Sequence, residues 1–460
     1  MTHKITIVGT GYIGLTAGVC LANAGNRVTC LDINEEKIEM LKAGGCPIFE
    51  PGLKELLEKN LSHLHFTTDY EEALKDAEIA FIAVTTPSAP NGEANINYVK
   101  SAATSIGKAM QGDLIVVNRS TVPVGTGHKV EKIIQKETGH KVSVISCPEF
   151  LREGSAIYDF MNPDRVVIGA DDEHKSAVEL LQEIYNGVTK NDPQFVITDL
   201  RSAEMIKYAS NSFLATQISY INDLAKLCEE VDVDVTEVAR GMRLDKRIGE
   251  RAFLDAGLGY GGSCFPKDVR ALVALGKKRG NRLTLLEKVG KLNDQLIERG
   301  FSKIKKLLRA SDISLSEARI TILGLSFKPN TDDIRESQSV HLIDFLLQKG
   351  AEDIRAIDPI VDWEREIERG IMLPKRIRKN KKELEKIRKI NGGDILESIE
   401  KAVKDSDIIV LATEWNDFRN LDFAKLGKSM RNKCFVDLRN VYSKSEVEGF
   451  GFKVENVGRR

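Results

Sequence analysis

A cysteine in a glycine-rich loop, followed closely by a lysine and an aspartate, is equipped for covalent chemistry. The stretch is Gly259-Tyr260-Gly261-Gly262-Ser263-Cys264-Phe265-Pro266-Lys267-Asp268. If a helix opens at Phe265, Cys264 stands at its N-terminus. There the helix dipole and unpaired N–H groups favour a thiolate. A thiolate attacks a carbonyl carbon and forms a covalent intermediate. Most free cysteines are instead inert packing, and Cys20, Cys30 and Cys228, on apolar faces, read that way.

The chain also opens with Gly9-Thr10-Gly11-Tyr12-Ile13-Gly14, a G-x-G-x-x-G pattern. It follows an apolar strand, starts a helix, and precedes Asp32, 18 residues after Gly14. That context identifies a dinucleotide site. Gly9 permits the tight turn, Gly11 admits the pyrophosphate, and Gly14 lets helix and strand pack closely. Asp32 is expected to accept from the adenosine ribose and to repel a 2′-phosphate, which favours NAD over NADP. Thr85-Thr86-Pro87 and Ser120-Thr121-Val122-Pro123 follow further apolar strands. Ligands of open α/β sheets lie beyond such strand ends, so both are placed to line the nicotinamide side. A nucleophilic cysteine beside a hydride acceptor points to oxidation past the aldehyde, to the acid. An aldehyde gives up a second hydride only after a nucleophile adds to it. Thiol addition gives a thiohemiacetal, hydride loss leaves a thioester, and water hydrolyses it.

These groups need a scaffold, and 460 residues are enough for two or three domains. Apolar runs at 4–9, 28–32, 79–84, 114–118, 142–146 and 165–169 alternate with helical stretches, the rhythm of a parallel doubly wound sheet. Residues 200–231 contain no Gly or Pro. Ala203, Ile206, Phe213, Leu224, Leu227 and Val231 recur at near-helical spacing, which predicts one long linking helix of roughly 45–50 Å. Two helices broken without Gly or Pro are the alternative. A second series of strands, at 320–323, 353–357, 407–412 and 434–437, implies a second Rossmann-type domain, with Asp358 ending its strand as Asp32 does. The fold class is therefore α/β, with two doubly wound parallel-sheet domains joined by a long central helix. The expected division is 1–198 for the cofactor, 199–308 for a central helical dimerisation domain carrying the cysteine loop, and 309–460 for a C-terminal domain. Residues 364–392 interrupt the last of these. Between Lys375 and Lys389 lie nine Lys or Arg and two Glu. A solvated basic helix is one reading, and a docking patch for an acidic partner or anionic membrane the other.

Lys+Arg (67) nearly cancel Asp+Glu (68), so no global field favours nucleic acid or membrane. Seven cysteines form no C-x-x-C pair, which argues against a disulfide framework and a zinc site, and no metal is expected. Reduced thiols and the absence of a signal-peptide pattern point to the cytoplasm.

Six segments together resemble the UDP-glucose/GDP-mannose dehydrogenase family. They are the fingerprint at 9–14, Ser120-Thr121-Val122-Pro123-Val124-Gly125, and Pro148-Glu149-Phe150-Leu151-Arg152-Glu153-Gly154. The others are Ala203-Glu204-Met205-Ile206-Lys207-Tyr208-Ala209-Ser210-Asn211, the cysteine loop, and Phe327-Lys328 through Arg335-Glu336-Ser337. The resemblance implies a nucleotide-sugar-binding C-terminal domain and a homodimer or higher oligomer built on the central helix. It implies oxidation of UDP-glucose at C6 to UDP-glucuronate, with two NAD reduced, feeding polysaccharide and nucleotide-sugar biosynthesis. By the same resemblance Cys264 is the nucleophile, and Lys207 and Asn211 hold oxyanions. Asp268 manages protons through a water shared with Thr121, and Glu149 is linked to thioester hydrolysis. Phe150, Leu151, Glu153, Phe253, Tyr260, Gly261, Phe265, Lys328 and Arg439 hold the sugar nucleotide or frame its pocket. Arg247 and Arg335 reach a ligand across the dimer. Tyr12, Ile13, Lys37, Thr85, Thr86, Ser120, Glu153, Lys267 and Arg335 join the cofactor side. The sequence departs from the common pattern at Cys147, where Asn usually precedes Pro-Glu-Phe, and at Asn118-Arg119, where a lysine is common before Ser120. The basic insertion also has no counterpart.

Other readings remain open at this level. The same chemistry could act on a UDP-N-acetylhexosamine or GDP-mannose. A two-electron hydroxy-acid or sugar-phosphate dehydrogenase would make one NADH and tolerate Cys264→Ala. A non-catalytic nucleotide sensor would bind without turnover.

Overall fold

The computed structural model describes residues 2–362, 387–389 and 395–459. The basic insertion expected at 364–392 thus lies outside the described residues, apart from the backbone of a strand at Ile387–Lys389. The chain forms two compact units, Met1–Ser210 with Arg270–Asn281, and Asn211–Val269 with Arg282–Arg460.

In the first unit, eight strands line up as β3-β2-β1-β4-β5-β6-β7-β8. They are β1 Lys4–Val8, β2 Arg27–Leu31, β3 Leu64–Thr67, β4 Ile79–Ile82, β5 Leu114–Asn118, β6 Val142–Ser146, β7 Val166–Gly169 and β8 Phe195–Thr198. The first six are parallel. Of the central members β4 is apolar throughout and β1 and β5 are largely so, because helices cover both faces. The junction of β6 and β7 departs from a wholly parallel sheet. Ser146 faces Gly169 in antiparallel pairing, and β8 then runs parallel to β7. The helix between β6 and β7, Ala156–Met161, has six residues.

The long helix is unbroken over Leu200–Glu230, 31 residues, which selects the single-helix reading. Its first turns belong to the first unit and the rest to the second. None of the described helices is long and apolar enough to cross a membrane.

The second unit holds β9 Arg319–Leu323, β10 Asp353–Ile357, β11 Ile387–Lys389, β12 Ile408–Leu411, β13 Cys434–Asp437 and β14 Lys453–Asn456. They are parallel and ordered β11-β10-β9-β12-β13-β14, the sequence order of the first six strands repeated. Helices Thr284–Arg309 and Gln338–Gln348 pack on this sheet, with Phe301 and Phe345 edge to face at 5.3 Å.

The repeat extends to the aspartates that end β2 and β10. Asp32 Oδ2 accepts from the backbone N–H and hydroxyl of Thr10, both at 2.8 Å. Asp358 Oδ2 accepts from the Leu325 and Ser326 N–H groups and the Ser326 hydroxyl. In the second unit the buried indole of Trp415 donates to the same oxygen at 3.1 Å.

Candidate active site

The fingerprint has the geometry that a pyrophosphate requires. Gly9 has φ +103, and a Cβ there would lie 2.7 Å from the Ala83 carbonyl oxygen. A Cβ on Gly14 would sit 1.9 Å from the Gly9 oxygen, so only glycine lets helix Tyr12–Asn23 approach β1. A Cβ on Gly11 would meet nothing within 4 Å, and no side chain caps the helix there. The first-turn N–H groups thus face open space, which suits a dinucleotide. Burial pushes the Asp32 carboxyl up, but hydrogen bonds from Thr10 and the charge of Lys37, 3.5 Å away, outweigh it and hold it below the usual range. Tyr12 is pinned by Glu50, and Gly154 N–H donates to both side chains, at 2.8 and 2.7 Å. Ile13 is half-buried beside it.

Beyond β4 and β5 the expected loops are stitched together. The Thr86 hydroxyl donates to the Thr121 carbonyl at 2.8 Å, and the Ser120 hydroxyl to the Val84 carbonyl at 2.7 Å. Thr85 is exposed.

Beyond β6 lies a buried ion pair. Lys207 Nζ is 3.1 Å from Glu149 Oε1, with side chains 4% and 5% exposed. The other oxygen, Oε2, accepts from Leu151 N–H at 2.6 Å. Lys207 also lies 5.2 Å from the centre of the Phe150 ring, whose face carries the Arg165 guanidinium at 3.7 Å. A lysine on a long helix is ordinarily solvated. This one is enclosed because Glu149 supplies the counter-charge that burial demands. Glu153 is half-buried. The two departures from the family pattern meet behind this pair. The buried Arg119 donates to the Tyr185 hydroxyl at 2.5 Å, and Cys147 Sγ lies 3.6 Å from the same oxygen.

In the second unit the cysteine loop is held rigidly. Tyr260 N–H donates to Asn293 Oδ1 at 2.9 Å, and its carbonyl accepts from Asn293 and Gln338. Gly262 N–H donates to the Arg335 carbonyl at 3.0 Å. A Cβ on Gly261 would sit 2.4 Å from the Glu336 carbonyl oxygen, so the loop lies against the segment that follows β9. Helix Phe265–Lys278 opens directly after Cys264, as expected. Cys264 is half-buried and belongs to none of the apolar clusters. No cysteine is in a disulfide. By contrast, burial pushes the Cys20 and Cys30 thiols up to about 12.

Asp268 is fully buried and engaged at both oxygens. Asn211 Nδ2 donates to Oδ2 at 2.6 Å, and Lys267 pairs with Oδ1. Phe265 stands 6.5 Å from Phe253 and 6.1 Å from Tyr260, ring centre to ring centre. Arg439 donates to the Ala412 carbonyl at 2.7 Å and pairs with Glu414 at 3.1 Å. Lys328 lies 5.5 Å from the Phe327 ring, and Arg335 pairs with Asp333 at 2.7 Å. Arg247 is placed differently: its side chain is 89% exposed and paired with Asp245. Within its unit it joins neither the aspartate set nor the aromatic set.

Sequence reasoning assigned no role to Glu50, Arg165, Asn293, Gln338 or Glu204. All but Glu204 lie outside the quoted motifs, and only tertiary packing within each unit brings them to the groups they hold.

Residues 3–189 match the NAD binding domain of the UDP-glucose/GDP-mannose dehydrogenase family, 201–295 its central domain, and 321–444 its UDP binding domain. The chain belongs to the UDP-glucose/GDP-mannose dehydrogenase family. Among similar members, the UDP-glucose 6-dehydrogenase of Rhizobium meliloti (strain 1021) is 43% identical over 461 residues, covering 99% of each chain. A UDP-glucose dehydrogenase structure from the archaeon Pyrobaculum islandicum has a TM-score of 0.86 at 35% identity, covering 100% of this chain and 98% of that one. A UDP-D-ManNAc dehydrogenase structure from Pyrococcus horikoshii has a TM-score of 0.83 at 26% identity and 99% coverage of both. As a member of the UDP-glucose/GDP-mannose dehydrogenase family, the chain carries the fingerprint and Asp32 in its NAD binding domain, and Lys328 and Arg439 in its UDP binding domain.

Proposed function

We propose that this chain is a UDP-glucose 6-dehydrogenase, oxidising the C6 alcohol of UDP-glucose to the carboxylate of UDP-glucuronate. The observation that carries the reading is a half-buried cysteine at a helix N-terminus, on a loop clamped by Asn293, Gln338 and three close-packed glycines. Relatives of nearly equal length bearing that enzyme name support it.

NAD, when bound, takes up the two hydrides released in succession. The roles of this chain's residues are as follows. Asp32 and the open N-terminus of helix Tyr12–Asn23 hold the dinucleotide, with Lys37, Tyr12, Ile13, Thr86 and Ser120 framing it. Lys207 and Asn211, one turn apart on the long helix, face the developing oxyanion. Asp268 holds Asn211 and Lys267 in place and, with Thr121, takes part in proton transfer from the alcohol. Cys264 adds to the aldehyde carbon to form a thiohemiacetal. Loss of the second hydride leaves a thioester, and Glu149 aligns the water that releases the acid and regenerates the thiol. Phe253, Tyr260, Phe265, Lys328 and Arg439 frame the sugar nucleotide. The division into 1–198, 199–308 and 309–460 is part of this proposal, as is a cytoplasmic site of action, which suits seven cysteines outside any disulfide.

Limiting UDP-glucose is expected to yield two NADH per sugar. A yield of one, or turnover only with another sugar nucleotide, would sink the reading. The likeness to a UDP-D-ManNAc dehydrogenase makes UDP-N-acetylhexosamines the first competitors for that panel.

A homodimer is also proposed. Phe213, Tyr220 and Leu227 follow one another at seven-residue spacing on the long helix and are each more than half exposed. Such a stripe suits a helix from a second copy. The double variant Phe213→Asp/Leu227→Asp is expected to halve the mass seen in sedimentation equilibrium. An unchanged mass would place the contact elsewhere.

A further inference from the structure

Glu204 sits three residues before Lys207 on the long helix, is buried, and has no part in the chemistry described above. Its carboxylate reaches across to the N-terminus of helix Thr126–Glu137. Gly125 N–H donates to Oε2 at 2.5 Å and Gly127 N–H to Oε1 at 2.6 Å. Gly125, at φ +88, has no side chain with which to cap that helix, so the cap comes from a residue 79 positions away. The clamped segment begins four residues after Thr121, and Thr121 is tied in turn to Thr86. One carboxylate thus joins the β5 loop to the turn of helix that presents Lys207.

We propose that Glu204 is a positioning residue: its two oxygens, each taking a backbone N–H, fix Thr121 relative to Lys207 in the geometry that the first oxidation needs. This rests on the reaction proposed above.

Both oxygens must accept. An ionised carboxylate can do so, whereas a protonated one presents an O–H to one of the N–H donors. Burial pushes the Glu204 carboxyl up to about 7, against the pull of the Gly125 and Gly127 N–H groups. Other titratable or charged groups on the packed elements have their own partners. His128 on helix Thr126–Glu137 lies 3.3 Å from Asp171, and Lys207 pairs with Glu149. Asp199 accepts from Arg201 N–H and Ser202 at the start of the long helix. The sign follows directly. Because the folded carboxyl titrates above its unfolded value, its contribution to stability is full in acid and is lost as pH rises through about 7. Positioning behaves in the opposite way, present above about 7 and lost below. Activity falling with pH while the Glu204 term favours the fold is not the behaviour of acid unfolding.

The test compares wild type with Glu204→Gln and Glu204→Asp. The amide is nearly isosteric but sets an NH2 against one N–H donor. It is expected to lower kcat with UDP-glucose by up to about 10²-fold, as a small misplacement of reacting groups does, with both KM values little changed. The acid limb of kcat near pH 7 should vanish. Glu204→Asp keeps the charge but not the reach, so it should lose kcat and retain the limb. Amide hydrogen exchange at residues 125–127, read by mass spectrometry without substrate, should speed up in Glu204→Gln. That readout does not depend on the reaction. Wild type failing to reduce NAD with UDP-glucose would overturn the functional reading. An active wild type whose variants keep its kcat, pH limb and slow exchange would overturn the role of Glu204. So would variants that raise the KM for NAD and leave kcat intact. If Glu204→Gln does not fold, an unchanged kcat in Glu204→Asp is decisive against it.

Discussion

Cys264→Ser is expected to reduce the steady-state rate by between about 10⁴- and 10⁶-fold, the range seen when a covalent enzyme loses a member of its nucleophilic machinery. A helix N-terminus can bring a thiol into its ionised form near neutrality, but a serine hydroxyl is far too weak an acid for the same help to matter. The first oxidation does not need the sulfur, so any residual product should carry the aldehyde stage. A single-turnover measurement should find at most one NADH per enzyme where wild type gives two. Two NADH at near wild-type speed from Cys264→Ser or Cys264→Ala would end the covalent mechanism and restore the simpler dehydrogenase. Folding offers no escape from that result. Cys264 lies outside the apolar clusters, and the loop is held by Asn293, Gln338 and the glycines rather than by the thiol.

Lys207→Met should have two separable effects. Removing one member of a buried pair leaves the other as an unmatched charge, which typically costs about 3–5 kcal/mol. The first unit should therefore unfold at clearly lower urea, with Glu149 the group left stranded. Loss of an oxyanion donor should also lower kcat by about 10²–10³-fold. The double variant Lys207→Met/Glu149→Gln separates the two when the rate read is that of the first hydride transfer, which precedes the hydrolysis step proposed for Glu149. Neutralising both partners removes the stranded charge, so stability should return towards wild type while the rate stays low. If the rate recovers along with stability, Lys207 acts through the fold alone.

Much of this was legible in the sequence, for identifiable reasons. Buried parallel strands read as largely apolar runs, so β1, β4, β5 and β6 could be located from composition despite Thr6 and Ser143. β3, β8 and β14 could not, because Leu64–Thr67, Phe195–Thr198 and Lys453–Asn456 are four-residue strands that mix polar and apolar side chains. The reversal between β6 and β7 leaves no trace in composition. The helix after Cys264 was foreseeable from the glycines that precede it. The burial of Lys207 was not, because it depends on Glu149, 58 positions earlier. Glu204 stood within a quoted motif, yet the amides it serves lie 77 and 79 residues away. Local pattern names the groups, and distant partners decide whether each is solvated, paired or clamped.

The indole lodged against Asp358 bears on how the two electron pairs leave. The C-terminal sheet repeats the strand order of a nucleotide-cofactor fold, but the oxygen that would greet a ribose is already satisfied by Trp415, Ser326 and the backbone. Asp32 accepts in the same way from Thr10, and among the described residues no indole stands against it. If the proposed reaction uses the fingerprint site alone, its two oxidations would draw on that site in turn, with the carrier exchanged between them and the half-oxidised sugar kept bound.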